Sequence, residues 1–591
     1  IRRQRQMCIR DSNYIGLNAS GTAAVPNTTI GVQIDNFTGS GAGSSNQVIN
    51  NVISGNTTHG VQIGLSGGTL ATAPVIKGNY IGTNAAGTAV IANGNSGVRV
   101  VGANFLQIGG SGLNEGNVIS GNVQHGIEFN TLTSTNVTME KNYIGVLANG
   151  TTAAGNGSGA TGGNGIHTNG TTFSNWSIKD NIISFNGIAG LAGYGINLVH
   201  ATNGVNISTT ITGNTINDNF RSGILLVGVG GVTIGGTTAS LRNIITNNNQ
   251  RSLTPAAGVI HQRSGIGISG RITALTGSID ILGNYIGLNA AGTDTIANNP
   301  PGGNPLNGQS GIGIDGITAA SDGNINIGNG TVAGRNIISG NWFTGLHTNL
   351  TNFTGILNVK GNFIGLTADG LTGFGNGFAS LTYSGTIMGN GAYFNNGAAA
   401  TTINFGGTTA AEGNVVSDNI YFAGLMVQSY LGTLNVLNNY FGTRGDGTGS
   451  IPNRQHNVQI QSNTSSNINI GAAGSSNYFG ANGSGGAGQQ ASLLLWDADN
   501  VKIYNNTITN GEAAGIHIFS SSNVQIGSAA AGTGNTITNN LYGILFTDQC
   551  CHWGSYPADG LLTGNGNNNH TFNNFVFNNT CLLYTSPSPR D

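Results

Sequence analysis

Four ionisable residues near the C-terminal end of this chain have types that could cleave a glycosidic bond: Asp497, Asp499, His517 and Asp548. Aligning Asn500 with Asn523 places Asp497 over Ser520, and aligning Ile516 with Ile544 places Ser520 over Asp548. Asp497 and Asp548 would then stand two coils apart, about 9.6 Å at the usual strand spacing. That lies near the upper limit of the ~6.5–9.5 Å window in which one carboxyl protonates a leaving group while the other activates water. Trp496 and Trp553 would flank the pair as a platform for a sugar ring. This set is the candidate catalytic group.

A second candidate is an aromatic stripe. Tyr14, Tyr80, Tyr143, Tyr285, Phe363 and Tyr440 each follow a repeated asparagine. Rings of Tyr80, Tyr143, Tyr285 and Tyr440 exposed at regular intervals could stack on sugar faces; the competing reading is that each ring anchors the loop that follows it. His167, His347 and His517 lie far apart and do not form the three or four converging ligands that a zinc site needs. No acid group beside a basic proton acceptor stands out as calcium-dependent lyase chemistry would require. The sequence calls for no metal and no cofactor. Arg444-Gly445-Asp446 matches an adhesion tripeptide, but its position elsewhere reads Asn-Ala-Ala or Thr-Ala-Asp, and chance explains it.

The elements that must position these residues are repeated sixteen times. An asparagine opens a short apolar strand at Asn13, Asn51, Asn79, Asn117, Asn142, Asn181, Asn214, Asn243, Asn284, Asn336, Asn362, Asn414, Asn439, Asn477, Asn506 and Asn535. Between them a Gly-[Ile/Val]-x-[Ile/Val] tetrad restarts the module, from Gly31 to Gly543, at spacings of 23 to 46 residues; Asn457 and Ser492 stand in for the glycine. Each module reads as three short strands: the tetrad, a second strand such as Leu106-Gln107-Ile108, and the Asn-led third. A primary amide carries both donors and an acceptor, so identical amides stacked coil on coil can form a ladder. The outward residue of the tetrad (Gln33, Gln62, Arg99, Glu128, His167 and onward) changes at every coil and reads as a solvated face.

Coils also alternate between two kinds. In one, the third strand reads like Asn-Val-Ile-Ser-Gly-Asn (51–56, 117–122, 336–341); in the other it reads Asn-Tyr-Ile-Gly and runs into a loop such as Thr-Asn-Ala-Ala-Gly-Thr (83–88). Such loops would emerge from one side about every 9.6 Å as a comb.

The tetrad, the asparagine column and the Asn-Tyr-Ile-Gly loop resemble those of right-handed parallel β-helix repeats, the pectin-lyase-like superfamily and its large secreted bacterial repeat proteins. The resemblance implies an all-β fold: a single right-handed parallel β-helix of about 16 coils, in agreement with the hand of parallel crossovers. That superfamily includes lyases, hydrolases and non-catalytic proteins, so fold leaves activity open. The expectation drawn from uniformity is a non-catalytic stalk or adhesin, extracellular or on a bacterial surface, contacting polysaccharide or cell-surface glycan. The alternative is a polysaccharide hydrolase or lyase centred on Asp497.

With 101 glycines in 591 residues and only 7% charged residues, the chain is neither a helical enzyme nor a charged disordered segment. Residues 1–12 and 581–591 break the repeat and look like translated sequencing adapters, leaving 13–580 as the repeat domain. Without them the chain carries 14 basic and 19 acidic residues, so no basic arm for nucleic acid remains. Only Cys550 and Cys551 survive, and adjacent cysteines imply no disulfide framework. No apolar run approaches membrane-spanning length. The expected particle is a monomeric rod about 77 Å long, from sixteen coils at the strand spacing.

Overall fold

The structure, a computed structural model, describes residues 13–35, 46–64, 73–188, 191, 193–249, 260–270, 272, 277–294, 310–318, 321–377, 389–420, 422–463, 466–483 and 490–547. For Cys8–Arg10, His570–Thr571 and Phe575–Phe577 it gives the backbone alone. The chain forms two compact units, Ile1–Asp280 with Ile296–Gly308, and Ile281–Thr295 with Gln309–Asp591.

Each unit is a parallel β-helix. In the first, the tetrad strands Val32–Ile34, Val61–Ile63, Val98–Val100, Ile127–Asn130, Ile166–Asn169, Ile196–Val199, Ile224–Val227 and Ser264–Gly270 pair successively in parallel. Second strands from Gln47–Ile49 to Val229–Gly235 form another sheet, and Asn-led strands from Tyr14–Ile15 to Ile244–Thr246 a third. The second unit repeats this plan, with tetrad strands from Ser310–Ile317 to Tyr542–Thr547. The core is the ring of inward aliphatics each coil contributes; Ile63, Ile76 and Ile81 are all fully buried. The tetrad glycine is set by space. A Cβ on Gly60 would lie 2.7 Å from the Gly97 carbonyl oxygen and 2.8 Å from Ile81 Cγ2.

Three coils of the first unit carry a fourth short strand, Ala103–Asn104, Ser134–Thr135 and Phe173–Ser174, which the three-strand reading did not anticipate. Buried Trp176 explains the extra corner: its ring packs 4.2 Å from Phe129 and 4.6 Å from Phe173, and its Nε1 donates to the Ser134 carbonyl.

The asparagine column is a ladder. Within the first unit, Asn79 Nδ2 donates to Asn117 Oδ1, Asn117 to Asn142, and Asn142 to Asn181, each at 2.9 Å. Each Oδ1 also accepts a backbone N–H, as Asn117 Oδ1 does from Asn79, and each Nδ2 reaches a strand carbonyl, as Asn117 does at Ile76. In the second unit the same bonds run from Asn284 through Asn336, Asn362, Asn414, Asn439, Asn477 and Asn506 to Asn535 at 2.9–3.1 Å.

A second amide column runs beside it. Asn27, Asn56, Asn93, Asn122, Asn156, Asn186, Asn219 and Asn248 are linked side chain to side chain at 2.7–3.0 Å. Asn341, Asn376, Asn419 and Asn453 form the equivalent column in the second unit. The two coils without a tetrad glycine put a side chain on this column: Asn457 Oδ1 accepts from Asn453 Nδ2, and Ser492 Oγ donates to Asn482 Oδ1.

Candidate functional site

The comb loops come first, because the structure alters their expected spacing. Loops of alternate coils lean onto one another instead of standing apart. Ala85 N–H donates to the Gly21 carbonyl at 3.0 Å and Ala148 N–H to Gly87 at 3.1 Å; in the second unit Ala368 bonds Gly292 at 2.8 Å and Gly445 bonds Gly370 at 2.7 Å. The result within each unit is a shelf, not separated teeth. Each aromatic ring lies beside the glycine of its own loop: Cβ positions on Gly87, Gly150, Gly292 and Gly447 would fall 3.1, 3.3, 2.8 and 2.7 Å from the rings of Tyr80, Tyr143, Tyr285 and Tyr440. Tyr285 is buried and the other three tyrosines are half-buried. Asp446 of the Arg-Gly-Asp loop accepts from Thr448 N–H and Oγ1, the same turn-closing duty that Asn149 performs toward Thr151 and Thr152.

The C-terminal acids separate on inspection. Strand Leu493–Ala498 pairs with Ala514–Phe519 so that Trp496 meets Phe519, which sets Asp497 beside Ser520, as the alignment expects. Asp497 is exposed, at a corner with φ 49°. Asp499 is committed: one carboxylate oxygen accepts from Ser522 N–H at 2.8 Å and Ser522 Oγ at 2.6 Å. His517 is buried, and burial lowers it to about 4. It pairs across the strands with Leu494, one outward position away from Trp496 and Phe519. Asp548 and Trp553 lie outside the described residues.

The outward residues of the tetrad sheet correct the expectation of a solvated face. Gln62, Glu128, Asn197, Leu225, Tyr393, Met426, Gln459, Leu494 and His517 are all buried. In two places residues from the turns entering the strands cover this column. Phe422 packs on Tyr393, Ala423 and Met426, and Tyr542 and Leu545 pack against Ala491, Leu494 and Ala514.

In the first unit this roofed column brings together ionisable residues that sequence spacing kept apart. Strand pairing sets Arg99, Glu128, His167 and Asn197 side by side, and His59 and His125 join from the residues preceding Gly60 and Gly126. Glu128 accepts from Ser96 Oγ at 2.6 Å and from Asn130 Nδ2 at 3.0 Å. Burial alone would raise its pKa, but those donors and the histidines hold it below the ordinary value. His125 stacks on His167 at 4.2 Å, and burial lowers His59 to about 4 and His167 to about 3. These histidines are neutral at neutral pH, and each oxygen of the carboxylate already accepts from a side-chain donor. Among the described residues no group of three or more His, Cys, Asp or Glu has the arrangement of a metal site.

The second unit holds the arrangement most open to a ligand, and sequence reading passed over it. Here the tetrad strands are longer: Thr344–Asn349, Ala423–Gln428, Leu493–Ala498 and Ala514–Phe519 each have six residues. Their alternation creates a second outward column beyond the roof. In consecutive coils it reads Asn349, Asn395, Gln428, Gln461, Trp496 and Phe519, paired in register. All six are half-buried. Three of the four amide oxygens are fixed: Asn349 Oδ1 accepts from Thr351 Oγ1 at 2.7 Å, Gln428 Oε1 from Tyr393 OH at 2.6 Å and Gln461 Oε1 from Gln459 Nε2 at 3.1 Å. The NH2 groups of all four donate to nothing among the described residues. On the neighbouring sheet the contrast is plain: Asn326, Asn358, Asn404, Asn435 and Asn469 also stack outward, but each Nδ2 from Asn358 onward is bonded to the Oδ1 of the coil before it at 2.9 Å. The strip therefore offers a row of oriented donors ending in an aromatic pair, Trp496 and Phe519, with ring centres 5.9 Å apart.

No protein-family model matches the chain, and no curated protein matches it. Among solved structures it is similar to the A-module of the Azotobacter vinelandii mannuronan C-5 epimerase AlgE6, at 11% identity over 91% of each chain and a TM-score of 0.23. It is also similar to the alginate lyase AlyF-OU02, at 8% identity over 86% of this chain and 91% of that one, TM-score 0.26. A third is the tailspike protein of E. coli bacteriophage HK620 in complex with a pentasaccharide, at 11% identity, 88% and 72% coverage and a TM-score of 0.24.

Proposed function

We propose that this chain is a non-catalytic glycan-binding β-helix protein of an extracellular or cell-surface setting, and that the glycan lies along the amide strip from Asn349 to Trp496. The observation that carries the reading is the row of four NH2 groups that donate to nothing among the described residues, three of them on amides whose own carbonyl oxygens are held by neighbouring side chains. Half-buried donors without partners gain most from a ligand rich in hydroxyl and ring oxygens. Trp496 supplies the apolar face on which a sugar ring stacks. The strands are ~4.8 Å apart, close to the advance of an extended glycan per residue, so successive amides meet successive sugars.

The enzymatic alternative retains one favourable observation: Asp497 is exposed directly beside Trp496. It would need a second carboxyl across the cleaved bond, because acid and base act as a pair.

A glycan array probed with the full chain and with Trp496→Ala and Gln461→Ala tests the reading. Binding should weaken at least tenfold in both variants, with no reducing ends or unsaturated products released from the bound glycans. Product release abolished by Asp497→Asn would replace this reading with the catalytic one.

A further inference from the structure

The strip also carries information about the charge of its ligand. Resting on the reading above, we infer that the glycan is a neutral, extended polysaccharide and not a polyuronate or sulfated chain.

Every donor along the strip is an uncharged amide. No lysine or arginine occurs in the tetrad strands from Ser310–Ile317 to Ala514–Phe519. Of the three histidines on these strands His456 and His517 are buried and His347 is half-buried, and desolvation lowers all three to about 4, so they bring no positive charge at neutral pH. The strip's exposed acid lies at its Trp496 end instead. Exposed Asp497 follows Trp496, while Asp315, which follows the Ile314–Thr348 pair and so stands next to Asn349 in the same column, is buried. Of the other cations described in the unit, Lys360 pairs with Glu412 at 2.8 Å, Arg335 lies 3.9 Å over the Phe363 ring and donates to Gly361, Arg454 donates to the Ile420 carbonyl, and exposed Arg444 and Lys502 belong to a comb loop and to a second strand, outside the tetrad strands that carry the strip.

A polyanion laid on this surface would lose hydration without gaining a counter-charge from the tetrad strands, and would meet the exposed Asp497 carboxylate at the Trp496 end. A neutral chain loses little on desolvation and takes the amide donors directly. The register sets its direction too: it runs across the strands, one sugar per coil, with the stacking site at Trp496.

Affinity electrophoresis of the full chain separates the outcomes, using gels containing neutral polysaccharides (xylan, β-glucan, galactomannan, arabinan) or acidic ones (alginate, polygalacturonate, hyaluronan). The expected result is retardation by a neutral polymer, unchanged between low salt and physiological salt and lost in Trp496→Ala. Retardation by an acidic polymer that fades with salt, and is also lost in Trp496→Ala, would overturn neutrality while leaving the strip as the site. Retardation that survives both Trp496→Ala and Gln461→Ala, or none in any gel, would overturn the strip itself and the ligand class with it.

Discussion

Ser120 and Gly145 hold two successive coils together at the base of a loop. The serine hydroxyl accepts the Gly145 N–H at 3.1 Å and donates to the Val146 carbonyl at 2.6 Å. The same brace joins Ser54 to Gly82 and Thr83, Ser339 to Gly365 and Leu366, and Ser417 to Thr443. Each serine belongs to a coil without a comb loop, and each loop it braces belongs to the coil after. In these four pairs of coils the serine of the Asn-Val-Ile-Ser type of strand braces the loop of the coil after it, which accounts for their alternation.

Ser120→Ala would leave a buried N–H and a buried carbonyl without that partner. The expected cost is about 1–3 kcal/mol, concentrated at the loop from Tyr143 to Ala154. Hydrogen exchange should speed up in that loop and hold elsewhere; uniform protection across the variant would contradict the brace.

Amides inside and outside the helix are predicted to differ. Asn117→Ala strips the acceptor from the Asn79 backbone N–H and the Asn79 side chain, and the donor from Ile76 and Asn142, all buried. Its cost should reach about 3 kcal/mol or more, whereas Asn435→Ala on the outer ladder should cost under about 1 kcal/mol. Urea denaturation of the two variants makes the comparison, and equal losses would show that the buried ladder is not a special source of stability.

How much of this was visible in the sequence follows from the same residues. The Asn117 column and the Gly-Ile tetrad are local signatures, each recurring beside its own strand, and they specified the β-helix. The second amide column was harder to see although Asn56 and Asn122 belong to it. It follows the first by five residues in one kind of coil (Asn51 to Asn56) and by fourteen in the other (Asn79 to Asn93), because the comb loop intervenes. The amide strip is hidden in the sequence because the tetrad signature ends two residues before it. Extending the alternation by two residues, from His347 to Asn349 or from Leu494 to Trp496, reaches it. The burial of His517 and Gln459 was not legible, since the residues that cover them come from turns whose path the repeat does not fix.

The desolvated histidines predict a pH dependence with a definite sign. Folded His347, His456 and His517 bind a proton only near pH 4, whereas in the unfolded chain they bind it near 6.5. Between those values the unfolded state holds more protons, so stability falls as pH drops, by up to about 1.4 kcal/mol per pH unit for each histidine. Denaturation midpoints measured from pH 7 to pH 5 should therefore decline, and His347→Phe, which keeps a ring against Tyr393, should decline less steeply. Parallel slopes for the two proteins would place the titration elsewhere.

The most direct test of the account is a crystal structure of the chain soaked with a neutral hexasaccharide of the type it binds. Sugar density along Asn349, Asn395, Gln428 and Gln461, with a ring stacked on Trp496, is the predicted result. Density confined to the loop shelf above Tyr285 and Tyr440, or to the roofed column at Glu128 and His167, would contradict it.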